Sequence, residues 1–154
     1  MKNLFFCLLF FFLSSSIASA NDIEEVQKFF HDYVSAANSY SNDYFDYYCS
    51  DAKIIRVVEK PDGSEKSVDI PIERYKIEAK KTSKLAKLRK YKNSYSNISV
   101  FPCGGDYKIT AMRMPSTSDY KVPAHFIVGK DINGNWKIKE ESMNTKVQKF
   151  LKEG

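Results

Sequence analysis

Histidine and cysteine are scarce in this chain of 154 residues, which contains two histidines and three cysteines. A structural zinc site needs four clustered ligands, and no histidine lies near Cys49 or Cys103 in the sequence. The G-x-S-x-G, Walker and H-E-x-x-H motifs are also missing, and the pair Gly104-Gly105 is too short to form a phosphate-binding loop. We therefore predict neither a metal site nor a cofactor.

Long hydrophobic runs are missing after residue 20. The apolar stretch from Leu4 to Leu13 follows Lys2 and precedes the small residues Ala18-Ser19-Ala20, which is the pattern of a secretory signal peptide. As a helix this stretch rises only about 15 Å, against a bilayer core of about 30 Å, so a retained membrane anchor is the weaker interpretation. We expect residues 1–20 to be cleaved, leaving no transmembrane span, and the protein to be secreted into a bacterial periplasm.

The chain also lacks a strong excess of positive or negative charge. It contains 24 Lys and Arg residues and 19 acidic residues, which gives a formal net charge of +5. This mild bias argues against a dedicated nucleic-acid-binding protein and is compatible with an anionic envelope surface. The most basic segment contains Lys80, Lys81, Lys84 and Lys87. It is either a solvated helix face or a docking surface for anionic lipid, glycan or protein.

Only Cys49 and Cys103 remain after signal cleavage. In an oxidising compartment two such cysteines are most simply a disulfide, which would stabilise the domain by about 4 kcal/mol in the chain-entropy treatment. A catalytic thiol is the alternative. We predict a Cys49–Cys103 disulfide.

The hydrophobic period predicts the order of the secondary structure elements. Apolar residues at helical spacing from Asn21 or Asp22 predict a first helix, and an aromatic segment at 43–50 predicts a short second helix whose rings either cover the core or border a ligand cavity. A hairpin and a third helix from about Pro71 follow, and after Tyr91 the period becomes two, which predicts four strands. The order is ααββαββββ, with one domain at 21–145 and a tail or short helix at 146–154.

This arrangement resembles the nuclear transport factor 2-like (NTF2-like) superfamily. The resemblance is carried by the first helix "DIEEVQKFFHDYVSAA", the segment "CSDAKIIRVV" after the aromatic helix, and the closing strand "GNWKIKEESM". It implies an α+β fold in which a curved, mostly antiparallel sheet of about six strands wraps around three helices. Proteins of this superfamily hold a pocket between sheet and helices, and some use a pocket carboxylate for proton transfer.

Strand alternation predicts which side chains face such a pocket. One face of the last strand would carry Trp136, Ile138, Glu140 and Ser142, and one face of the strand from Tyr107 would end in Arg113. We expect the charges of Glu140 and Arg113 to pair with each other, to lie at the cavity mouth or to contact a ligand, because burying either alone is costly. The predicted pocket residues are Tyr33, Tyr48, Arg113, Trp136 and Glu140.

The predicted function is binding of a small apolar ligand or of an envelope protein partner, with a possible homodimer through the sheet and no nucleic acid. The alternative is a cofactor-free isomerase, cyclase or dehydratase with Glu140 as the best candidate base and Tyr33 or Tyr48 as hydrogen-bond donors. A structural component of an envelope assembly is a third hypothesis. The two histidines, His31 and His125, are expected outside the pocket.

Overall fold

The computed structural model describes residues 20–152. Its elements follow the predicted order, with a 3₁₀ helix in place of the short second helix. In chain order they are α1 Ala20–Ala37, a first 3₁₀ helix Asn42–Tyr47, β1 Tyr48–Glu59, β2 Glu65–Ile70, α2 Ile72–Leu88, β3 Asn93–Cys103, β4 Asp106–Pro115, β5 Val122–Lys130, β6 Trp136–Thr145 and a second 3₁₀ helix Gln148–Lys152. The predicted signal peptide lies, apart from Ala20, outside the described residues.

The six strands form one mixed sheet in the order β2-β1-β6-β5-β4-β3. Every neighbouring pair is antiparallel except β1 and β6, which run parallel. Two of the hairpins turn at a glycine: Gly63 lies between β1 and β2, and Gly134 lies between β5 and β6. Each adopts a positive φ, which glycine permits without steric cost. The α+β class and the predicted number of strands are therefore confirmed.

Helix α1 covers one face of the sheet, called the inner face below. Its residues Val26, Phe30 and Tyr33 recur at the spacing of one helical face and are buried in the core. The ring of Phe30 packs edge-on against Phe126 of β5, with the ring centroids 5.0 Å apart. Aromatic pairs of this kind contribute about 0.5–1.5 kcal/mol beyond the area that they bury, so they hold α1 firmly across the strands.

Helix α2 packs far more loosely than α1. Ile72 is its only buried residue, while Leu88 is 80% exposed and Ile77 is 52% exposed. Its contacts with the sheet are made chiefly to β1. The helix therefore forms a side wall and adds only Ile72 to the buried core.

A β-bulge interrupts β6. Ile127 of β5 pairs with Glu140 whereas Val128 pairs with Ile138, so Lys139 is an extra residue. Lys139 extends over Gly129 on the outer face and forms an ion pair with Asp106, with Nζ and Oδ1 2.8 Å apart. Because of this extra residue, the inner positions of β6 change from even to odd numbers along the strand.

The predicted Cys49–Cys103 disulfide is wrong, since both cysteines are free thiols in the structure. Cys49 lies in β1 and Cys103 ends β3, and the sheet order places three strands between them. At about 4.8 Å per strand, this separation greatly exceeds the 4.4–6.8 Å between the Cα atoms of a disulfide. The order of strands in the sheet, which the spacing of cysteines in the sequence does not reveal, explains the difference.

Candidate functional site

A cavity of about 650 Å³ opens between the inner face of the sheet and the helices. Its walls come from the end of α1, the loop before the first 3₁₀ helix, the length of α2, β4, the loop 115–120 and the segment 147–150. A volume of this size lies within the range that small-molecule sites occupy.

A buried carboxylate, that of Glu141, lies behind the base of the cavity, where it contacts the lining residues Tyr33 and Arg56. Its Oε1 accepts a hydrogen bond from Arg56 Nη2 at 2.7 Å, and its Oε2 accepts bonds from the hydroxyls of Tyr33, at 3.0 Å, and Tyr48. The two hydroxyl oxygens lie 2.7 Å apart. Three elements meet here, because Tyr33 lies in α1, Glu141 in β6, and both Tyr48 and Arg56 in the inner row of β1. Both oxygens of Glu141 therefore already have partners.

The electrostatics of this network keep Tyr33, Tyr48 and Arg56 each in one protonation state. Burial raises the pKa values of Tyr33 and Tyr48 well above the ordinary value, and the nearby charge of Glu141 raises them further. Burial alone would lower the pKa of Arg56, but the carboxylate of Glu141 raises it to above its usual range. At neutral pH both phenols remain protonated as donors, and Arg56 remains charged.

Tyrosine rings form much of the cavity wall. Tyr75 of α2 packs edge-on against Tyr48, with centroids 6.1 Å apart, and the guanidinium of Arg56 lies 5.5 Å from the centroid of the Tyr75 ring. Tyr95 of β3 contacts Phe30 at a centroid distance of 5.3 Å. Burial raises the pKa values of Tyr75 and Tyr95, so these side chains present flat apolar faces with neutral hydroxyl tips.

A second buried arginine, Arg113 of β4, lines the cavity and is 9% exposed. Its Nη1 donates to Asn93 Oδ1 at 2.9 Å and to the hydroxyl of Tyr91 at 3.5 Å, and its Nη2 donates to the carbonyl of Asn144 at 3.5 Å. Its Nε has no acceptor in the part of the chain that the structure describes. All the acceptors around Arg113 are thus neutral.

The structure brings three of the five predicted pocket residues together. Tyr33 and Arg113 line the cavity, and Tyr48 lies directly behind its wall. Trp136 lies near the start of α1 instead, where its indole donates to Glu25 and packs on Tyr107.

Glu140, the predicted base, is on the outer face of the sheet and outside the cavity. Its Oε1 lies 3.5 Å from His125 Nε2. The bulge at Lys139 explains this difference, because it reverses the alternation after Ile138 and turns Glu141 inward in place of Glu140. Of the three alternatives expected for Glu140 and Arg113, pairing with each other is therefore wrong.

Arg56 was missed as a site residue, although its position offered a signal. It lies between Ile54 and Val58 in the alternating buried row of β1, just as Arg113 continues the row of Ile109 and Ala111. A charged residue in an otherwise apolar strand face requires a buried partner or a ligand. The sequence offered no such signal for Glu141, because simple alternation along β6 placed the neighbouring Glu140 on the inner face instead.

The predicted basic surface is exposed on α2. Lys80, Lys81, Lys84 and Lys87 are all solvent-exposed, and Lys81 forms an i,i+3 ion pair with Glu78. His31 is likewise exposed on α1. Within residues 20–152 no group of three or more His, Cys, Asp or Glu side chains is arranged to hold a metal ion, and no helix has the length and hydropathy needed to cross a bilayer.

Comparison of this architecture with solved structures identifies the fold. An NTF2-like protein from Novosphingobium aromaticivorans with a cystatin-like fold is similar over 80% of this chain and 81% of its own, with a TM-score of 0.61 and 11% identity. An NTF2-like protein of unknown function from Pseudomonas putida is similar over 82% and 87%, with a TM-score of 0.60 and 9% identity. The chain has an NTF2-like fold.

A third protein with the same architecture, from Catenulispora acidiphila, was solved in complex with S-DNPA. It is similar over 82% of this chain and 94% of its own, with a TM-score of 0.54 and 11% identity. No family model matches the sequence, and no curated protein matches it. The NTF2-like fold is compatible with both ligand binding and catalysis, so function depends on the side chains of the cavity.

Proposed function

We propose that this protein is an exported NTF2-like binding protein that holds a small molecule with an apolar body in the cavity. The observation that carries the proposal is the cavity itself, about 650 Å³ in volume and walled by tyrosine rings and aliphatic side chains. The signal-like pattern of residues 1–20 supports export to the periplasm.

The arrangement of Glu141 supports binding over proton transfer. A general base must reach the proton that it removes, with a free oxygen at hydrogen-bond distance. Both oxygens of Glu141 are engaged by Arg56, Tyr33 and Tyr48, and the side chain is fully buried. The carboxylate therefore stabilises the base of the cavity and leaves its walls to contact the ligand.

A neutral aromatic probe, 2-naphthylacetamide, tests the proposal by isothermal titration calorimetry. We expect it to bind the wild type and to lose at least about tenfold in affinity in Ala79→Trp, because Ala79 lines the cavity from α2 and an indole there would fill it. The matched control is Lys84→Trp, since Lys84 is exposed on the same helix outside the lining, and it should bind normally.

Purification from the native host with mass spectrometry of bound small molecules gives a second measurement. A molecule that accompanies the wild type and Lys84→Trp but not Ala79→Trp would support the proposal. Equal probe binding by folded Ala79→Trp and wild type, or no bound molecule in either measurement, would contradict it.

A further inference from the structure

Arg113 is a buried cation that has no counterion among the described residues. No carboxylate of residues 20–152 lies within ion-pair distance of its guanidinium, whose acceptors are the hydroxyl of Tyr91, the amide oxygen of Asn93 and the carbonyl of Asn144. One nitrogen, Nε, is buried and has no acceptor within residues 20–152. Burying a charge without a partner is costly, so the native protein holds Arg113 there at a loss of stability.

Arg56 provides an internal comparison. It is as deeply buried as Arg113 and lines the same cavity, but Glu141 lies 2.7 Å from it and neutralises it. Residues 20–152 thus supply a carboxylate for one of the two buried arginines of the cavity and none for the other. The difference points to a charge that arrives from outside the protein.

The charges of the cavity lining support this interpretation. Among the described residues, its cationic side chains are Arg56, Arg89, Arg113 and Lys149, whereas its one carboxylate is that of Glu78. Glu78 is exposed and paired with a lysine on the surface of α2. A concave site lined mainly by one sign of charge concentrates ligands of the opposite sign.

We propose that the ligand is an amphipathic anion whose carboxylate or phosphate contacts the guanidinium of Arg113 while its apolar body packs between the tyrosine rings. This inference rests on the proposed function, because it names the chemical class of the bound molecule. Arginine suits the role because its charge is permanent and its donors match the oxygens of both groups.

Three matched probes test the inference: 2-naphthylacetate, 2-naphthyl phosphate and the neutral 2-naphthylacetamide, titrated into the full mature protein by calorimetry. We expect at least one anion to bind the wild type about tenfold or more tightly than the amide. The stronger of the two anions identifies the headgroup. In Arg113→Gln this preference should disappear, in Arg113→Lys part of it should remain, and in Arg74→Gln, an exposed α2 arginine outside the lining, it should be unchanged.

Equal binding of anions and amide by the wild type, or a preference for anions that survives in Arg113→Gln, would overturn the inference. The amide separates this failure from failure of the proposed function. If the amide binds and Ala79→Trp weakens it, the cavity binds ligands and only the role of Arg113 is wrong. If no probe responds to Ala79→Trp, the proposed function itself fails.

Discussion

Arg56 and Glu141 form an ion pair in which Nη2 and Oε1 are 2.7 Å apart, with the Glu141 side chain fully buried and that of Arg56 9% exposed. This pair joins neighbouring strands β1 and β6 where they run parallel. The hydroxyls of Tyr33 and Tyr48 both donate hydrogen bonds to the other carboxylate oxygen, Oε2. Because Tyr33 belongs to α1, the network also fixes α1 against the sheet.

Glu141→Gln is expected to destabilise the protein by about 3–5 kcal/mol, because it leaves the charge of Arg56 buried without a counterion. The free energy of unfolding, measured in urea, checks this. Glu140→Gln is the matched control, since the adjacent Glu140 lies on the outer face beside His125 and is only partly buried, so its loss should cost less than about 1 kcal/mol. Similar losses in both variants would contradict the assignment of Glu141 to the core.

Arg113→Met should stabilise the ligand-free protein by about 1–3 kcal/mol, because methionine removes an uncompensated buried charge and fills a similar space. Thermal and urea unfolding of the ligand-free protein measure the change. Lys84→Met, at an exposed position of α2, should shift stability by no more than about 0.5 kcal/mol. A large loss of stability in Arg113→Met would show that the neutral hydrogen bonds of Arg113 matter more than its charge.

Alkaline pH should destabilise the protein through Tyr33 and Tyr48. Burial and the charge of Glu141 raise the pKa values of both phenols above the ordinary value of about 10. The contribution of these two phenols to the free energy of unfolding is complete below pH 10, where the phenols of the unfolded state are also protonated. It is lost as pH rises above 10, because the unfolded state then releases protons that the folded state retains. Each phenol should lower the free energy of unfolding by about 1.4 kcal/mol per pH unit above pH 10.

Urea unfolding between pH 9 and 11 measures this slope, and Tyr33→Phe should make it shallower. Tyr40→Phe is the control, because the hydroxyl of Tyr40 takes no part in the Glu141 network. A slope that is identical in the wild type and Tyr33→Phe would count against the protonated network.

Cys49 and Cys103 should react independently with a thiol reagent at pH 8. Cys103 is exposed and should react quickly, whereas burial and then the charge of Asp51 raise the pKa of Cys49 and lower its thiolate fraction. Comparing the wild type with Cys49→Ser and Cys103→Ser assigns each rate. A mass that changes by two hydrogens on reduction would instead demonstrate a disulfide.

The periodicity of the sequence was sufficient to predict the elements of the fold. Helical spacing of Val26, Phe30 and Tyr33 and the alternation around Ile109 and Arg113 both correspond to buried faces in the structure. Such patterns are local, so a linear sequence shows them directly. They predicted the inner position of Arg113 for the same reason.

Pairing between strands was not predictable in this way. The extra residue in β6 is defined only by its register against β5, so alternation within β6 alone placed Glu140 where Glu141 lies. The predicted disulfide failed for a related reason, since the distance between Cys49 and Cys103 depends on three strands inserted between theirs. The inward position of Glu141 and the separation of the two cysteines both depend on which strands pair, and strand pairing is not local in the sequence.

The bulge at Lys139 also determines how this chain should be aligned with remote proteins of the same fold. An alignment without a gap at that position would match Glu140 to inward-facing residues and assign acid–base chemistry to a side chain beside His125. If a gap is placed at Lys139, Glu141 is aligned in the column of those inward-facing residues instead. The ion pair of Glu141 with Arg56 indicates a structural role. A single inserted residue thus decides whether the acid in that column is a proton acceptor or a support for the core.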